Sequence, residues 1–138
     1  MPYNLMWLME NRVLYIRYFG VFTREDLENS LAESTEMRTQ ANAINGENGP
    51  LVHTVSDVLQ MEGQEIGVTD AQQQLRAMRN QRVGWSVYVS DNRARRFMAA
   101  LGHQFAGMRY RAFGNLPAAL AFLQEADPTL PPLKLPDI

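Results

Sequence analysis

The stretch Arg12-Val13-Leu14-Tyr15-Ile16-Arg17-Tyr18-Phe19-Gly20-Val21-Phe22-Thr23 decides the fold. It reads as a buried strand, a glycine break and a helix start. Val13, Tyr15 and Arg17 fall on one side of the strand, and Leu14, Ile16 and Tyr18 on the other. Both sides are largely apolar, as in a strand covered by helices on both faces. Arg17 is expected near a strand end, where its head reaches water. Gly20 is expected to end the strand.

The helix start is well marked. Thr23 takes the N-cap position with Asp26 three residues on, a capping box with Asp in place of Glu. Phe22 and Leu27 have the spacing of a hydrophobic staple. Glu25, Asp26 and Glu28 suit the positive end of the helix dipole. The helix is expected to reach Ala43, on a thin apolar stripe of Leu27, Leu31, Ala32 and Ala41 with Ser34 and Thr35 alongside.

Outward from this stretch, Tyr3–Met9 forms a strand joined to it by a short hairpin at Glu10-Asn11. After the loop 45–50, Leu51–Asp57 is the next strand and 58–68 is irregular. Thr69 caps a second helix with Gln72 at N3 and an inner stripe of Ala71, Leu75 and Met78. Trp85–Val89 is a core strand, and Ser90 or Asp91 caps a third helix. There, Ala94, Phe97, Met98, Leu101 and Phe105 give the cleanest amphipathic pattern, and Gly107 stops it. Met108–Phe113 is the last strand. Asn115 caps a fourth helix with Pro117 in its first turn and an inner stripe of Leu116, Ala119, Leu120 and Leu123.

The order is therefore ββαβαβαβα. It implies an α/β fold with a mixed, mostly parallel sheet and an antiparallel N-terminal edge strand. Residues 1–127 form a single domain, and 128–138 form a Pro-rich tail. The segment Thr129-Leu130-Pro131-Pro132-Leu133 reads either as a docking peptide or as a tail packed on its own domain or on a dimer mate.

Composition excludes several classes. There is no cysteine, hence no disulfide and no thiolate chemistry. No run is apolar enough for a membrane span. The N-terminus has no secretion signal, so a cytoplasmic setting is expected. The net charge of −2 conceals a split: residues 1–70 carry 4 basic and 11 acidic side chains, and residues 71–113 carry 8 basic and one acidic. Such a split marks an anion or acidic-partner surface, helices of both signs packed on one sheet, or a dimer that pairs opposite faces. A pI of 5.7 and the lack of an aromatic platform disfavour nucleic acid.

The element order resembles the STAS-like fold, and within it the small SpoIIAA-like proteins. The similarity runs over residues 3–126. It is carried by the hairpin ending in Gly20, the Thr23 helix start, Asp57 at the end of the middle strand, and the run Arg111-Ala112-Phe113-Gly114-Asn115-Leu116-Pro117-Ala118-Ala119-Leu120-Ala121-Phe122-Leu123. The resemblance implies a non-enzymatic regulatory or protein-interaction role. Bacterial antagonists of this type carry a phosphorylatable Ser or Thr in Asp-Ser-x-Gly after the middle strand. Here the strand end reads Ser56-Asp57-Val58-Leu59, with the order reversed and the glycine missing.

Candidate ligand residues are Asp57, Thr69, Ser90, Asp91 and Arg93, at strand ends and helix starts where open α/β sheets bind ligands. The start at Ser90-Asp91-Asn92-Arg93, with Arg95 and Arg96 nearby, offers free N–H groups and cationic side chains to an anion. Capping alone also accounts for Ser90 and Asp91, and a turn-capping role also accounts for Asp57. His53 reads as a core histidine with a backbone partner, and His103 as exposed. The two histidines have no metal-ligand spacing. No catalytic set, metal site or cofactor is indicated. A homodimer is expected, with a protein partner or a small anion, nucleotide or lipid as the further ligand classes.

Overall fold

The computed structural model describes residues 3–65, 67, 69, 70, 73, 76, 82–106 and 108–136. Its elements are β1 (Tyr3–Met9), β2 (Val13–Phe22), α1 (Arg24–Asn45), β3 (His53–Gln64), β4 (Ser86–Val89), α2 (Arg93–Ala106), β5 (Tyr110–Phe113) and α3 (Leu116–Ala126). The five strands lie in the order β1-β2-β3-β4-β5. β1 runs antiparallel to β2, and the remaining pairs are parallel. This is the α/β sheet with one antiparallel N-terminal edge strand that the sequence predicts. Between β3 and β4, Thr69, Asp70, Gln73 and Arg76 are helical. The expected stripe Ala71, Leu75 and Met78, the cap partner Gln72 and the stop at Gly107 lie outside the described residues.

Local chemistry explains the element starts. Asn11 turns the hairpin at φ 62°, a left-handed conformation that asparagine tolerates. Thr23 Oγ1 accepts from the Asp26 N–H, and the Asp26 carboxylate accepts from the Thr23 N–H, so the capping box is complete. Phe22 and Leu27 share one small apolar cluster. Asn115 Oδ1 accepts from the Ala118 N–H at 2.9 Å and starts α3.

The sheet is apolar on both faces. Val13 and Tyr15 pack with Val55, Val87 and Val89 against Ala119, Leu120 and Leu123 of α3. Leu14 and Ile16 pack with Tyr3, Val52 and Ala41 on the α1 side. Leu130 of the tail is buried in the α3-side core, with Leu133 packed against it. No helix among the described residues is long and apolar enough to cross a membrane.

Several local expectations are corrected. Gly20 does not end β2: the strand continues to Phe22, with Gly20 at φ 68° beside a bulge. Residues 58–64 are not irregular, because they pair with the β2 extension through register shifts at Arg17/Phe19 and Gly20/Val21. A bulge breaks the alternation of faces, so a bulged strand reads as loop. Arg17 consequently sits within the strand, opposite Asp57.

The inner face of α1 is Ser30, Ser34, Arg38 and Ala41, more polar than the expected stripe. Ser30 and Ser34 donate to their own helix at the Leu27 and Leu31 carbonyls, which satisfies the hydroxyls. On α2, Ala94 and Phe97 are exposed, Phe97 to 64 %. On the same helix Arg95 donates to the Met61 carbonyl of β3, and Arg96 donates to the Ser90 carbonyl just past β4. The side chains of Met98, Leu101 and Phe105 lie outside the described set.

Candidate functional site

Asp57 and Ser90 lie at the carboxyl edge of neighbouring strands, where Asp57 pairs with Val89 in register. Both are buried. Asp57 Oδ2 accepts from the Tyr15 hydroxyl at 2.5 Å, and Oδ1 accepts from the Leu59 N–H at 3.0 Å. Burial pushes the Tyr15 phenol well up, and its bond to Asp57 adds to this. The carboxylate therefore locks the bulge that starts the β3 extension to the strand beside it.

Ser90 donates its N–H to the Phe113 carbonyl. Its Oγ accepts from the Asn92 N–H, and its own carbonyl accepts from Arg96. The cap of α2 is Asn92, whose Oδ1 accepts from the Arg95 N–H at 3.1 Å. This corrects the expectation of Ser90 or Asp91. Asp91 and Arg93 are exposed at this helix start. Thr69 is exposed and helical, so it lies inside its helix; at that start Gly67 donates to the Asp70 carboxylate at 3.3 Å. The five candidates thus divide: Asp57 and Ser90 hold the edge together, and Asp91, Arg93 and Thr69 face water.

The β2–β3 ribbon overhangs this edge, since β4 ends level with Asp57 and β3 runs on to Gln64. Phe22, Val58 and Met61 close its inner side with Tyr18, Leu27 and Tyr88. Arg95 of α2 donates to the Met61 carbonyl at 3.0 Å and ties the helix to the ribbon. In an open α/β sheet ligands bind outside these strand ends. Here, among the described residues, the Phe22, Val58 and Met61 cluster and the Arg95–Met61 contact lie beside them.

Three arginines of the basic segment are similarly engaged. Arg82 donates to the Gly46 and Gly49 carbonyls. Arg109 lies over Trp85, and Arg111 lies over Phe113 and Phe122. Arginine serves here as a planar donor and an aromatic cover.

Sequence reasoning missed a second polar cluster, at the amino edge. His53 Nδ1 accepts from the Trp85 N–H at 2.9 Å, and Nε2 lies 2.8 Å from Asp127 Oδ2. The first bond fixes the tautomer, so Nε2 carries the proton and donates. Arg12 bridges Asp127 and Thr129, and Thr129 donates to Asp127 from both its N–H and its hydroxyl. Burial acts to raise the Asp127 pKa, but bonds from Thr129 and His53 outweigh it and bring it down to about 2. Burial lowers the His53 pKa despite Asp127. Both nitrogens of this imidazole have partners, so the ring helps to fasten the tail and has no free lone pair of its own. The Asp127-Pro128-Thr129 turn was the local signal for it.

A third cluster lies under α1. Arg38 is 2 % exposed and donates to Thr54 at 3.2 Å and to Ser34 at 3.2 Å. Burial lowers its pKa to about 10, leaving the guanidinium charged at neutral pH. Among the described residues, no three histidine or carboxylate side chains converge to hold a metal ion.

These features place the chain beside one group of known structures. A solved structure of an uncharacterized protein of the DUF3478 family from Shewanella loihica, described as having a SpoIIAA-like fold, superposes with a TM-score of 0.58. The match covers 88 % of this chain and 91 % of that one, at 14 % sequence identity. The fold is SpoIIAA-like. No family model matches the sequence, and no curated protein matches it. The SpoIIAA-like fold accounts for the antiparallel hairpin, the parallel strands and the α3 stripe, and it leaves function to the surfaces.

Proposed function

We propose that this chain is a non-enzymatic, STAS-like regulatory domain that acts by binding a protein partner in the cytoplasm. The observation that carries this reading is the contrast at the carboxyl edge. Its buried polar groups, Asp57 and Ser90, are used internally, while Val21, Leu59 and Phe97, on the ribbon and the helix tied to it, are 48 %, 36 % and 64 % exposed. Exposed apolar side chains beside buried, internally bonded polar groups suit contact with a folded partner better than turnover of a small molecule.

The alternative is a small anion, nucleotide or lipid held at the start of α2. It draws on the exposure of Asp91 and Arg93 there. Affinity capture with the parent chain and with Phe97→Asp, set beside a thermal-shift screen of nucleotides, phosphates and lipids, separates the two. A defined partner captured by the parent and lost by an equally stable Phe97→Asp supports the interaction reading. A small ligand that raises Tm, with the rise abolished in Arg93→Ala and no partner captured, replaces it.

A further inference from the structure

The two outer edges of the sheet are built differently. β5 has four residues, includes the exposed Arg111 and follows directly on the exposed Arg109. Short length and cationic side chains are the usual guards of a strand edge. β1 has seven residues, Tyr-Asn-Leu-Met-Trp-Leu-Met, with no charge and no proline. Among the described residues its sheet neighbour is β2 alone. Leu5, Met6, Trp7, Leu8 and Met9 are all only partly buried. Its one irregularity, between Trp7 and Met9, lies at the end near the hairpin and leaves Asn4–Trp7 regular.

We infer that the outer edge of β1 pairs antiparallel with β1 of a second copy of this chain, joining two five-stranded sheets into one. A two-fold axis at Met6 sets Met6 opposite itself, Leu5 opposite Trp7 and Asn4 opposite Leu8. The axis is perpendicular to the sheet, so both α1 helices lie on one side and both α3 helices on the other. Each side then gains apolar cross-strand pairs, which stabilise antiparallel strands. Charge selects the identical copy as occupant: a strand without ionised groups opposes no like charges when it meets itself, and the contact is isologous and closes at two. The surface is separate from the ribbon and α2 surface proposed above, and its test is independent of that reading.

The chain has no cysteine, so a single introduced thiol reports the geometry. Directly opposed residues of an antiparallel pair have Cα atoms about 4.5–5.5 Å apart, inside the disulfide range of about 4.4–6.8 Å. Light scattering on the parent chain should give a dimer mass. Met6→Cys should convert mostly to a disulfide-linked dimer under mild oxidation. Ile44→Cys, at a site 70 % exposed on α1, should stay free of the disulfide cross-link. Asn4→Lys, at an exposed position that leaves the core intact, should lose the dimer at concentrations where the parent keeps it. A parent chain that is monomeric at all concentrations, or a Met6→Cys chain that cross-links no faster than Ile44→Cys, overturns the inference. So does a monomer that instead takes up an added extended peptide along β1.

Discussion

His53 and Asp127 are 74 residues apart in sequence, and their side chains meet at 2.8 Å. The contact joins the first residue of β3 to the residue that closes α3, with Arg12 on the same carboxylate oxygen. It sets the tail turn so that Leu130 enters the core. Three separate chain segments are thereby held at the amino edge of the sheet.

Breaking this cluster should cost stability. His53→Ala strands the Trp85 N–H, and Asp127→Ala strands the His53 and Arg12 donors. Each should lower unfolding free energy by about 1–3 kcal/mol in urea titrations. The double variant should lose less than the sum, because both changes remove one shared contact. Strict additivity would show that the 2.8 Å contact contributes nothing.

Acid should attack the same cluster. His53 has a depressed pKa in the folded state, so the unfolded chain binds its proton first as pH falls below about 6.5. Stability from this residue is complete above that pH and declines below it. Asp127 acts in the same direction in a lower window, between its ordinary 3.8 and about 2. Chemical denaturation between pH 8 and pH 3 should show falling stability in both windows, and His53→Gln should remove the upper decline.

Gly84 is fixed by the same imidazole. A Cβ there would stand 2.4 Å from His53 Nδ1 and 3.0 Å from the Val52 carbonyl oxygen. Gly84→Ala should destabilise by about 1–3 kcal/mol through overpacking. In a His53→Ala background the penalty should shrink, since the closest atom is gone. An unchanged penalty would assign the clash to the Val52 backbone.

Asp57 separates scaffold from ligand site. Asp57→Ala leaves the Tyr15 hydroxyl and the Leu59 N–H without their acceptor. It should lose about 1–3 kcal/mol, and Tyr15→Phe should lose a similar amount. The pair should be coupled in a double-variant cycle read by thermal melting. Partner binding should track the folded fraction in each variant. Binding lost by a fully folded Asp57→Ala would return this residue to the ligand site.

How much of this was legible depends on the range of the physics involved. The capping box of Thr23 and Asp26, the Asn115 cap and the α3 stripe are set by residues a few places apart, and periodicity found them. The sheet type followed from counting such segments. The β2–β3 ribbon was not legible because bulges at Gly20/Val21 and Arg17/Phe19 break the alternation that marks a strand. Phe97 was misplaced because helical spacing does not say which member of a stripe meets the sheet; Arg95 and Arg96 of the same helix reach the Met61 and Ser90 carbonyls. His53 was read correctly as a buried residue with a backbone partner, but Asp127 is too distant in sequence for any spacing rule. Among the candidate ligand residues, type and position were readable, and exposure was not.

Alkaline pH should unfold the chain through its tyrosines. All five are pushed above the ordinary 10.0, with burial the leading cause in each. Tyr3, whose hydroxyl donates to Glu33, is raised to about 12, as are Tyr88 and Tyr110. A phenol kept neutral in the folded state ionises first in the unfolded chain. Its stabilising contribution is complete below pH 10 and is lost as pH rises toward 12. Absorbance at the phenolate band should therefore show no tyrosine titrating near pH 10 in the native protein. Ionisation should appear instead in one step that coincides with loss of circular dichroism. A tyrosine that titrates near 10 while the fold persists would show that its hydroxyl is open to water.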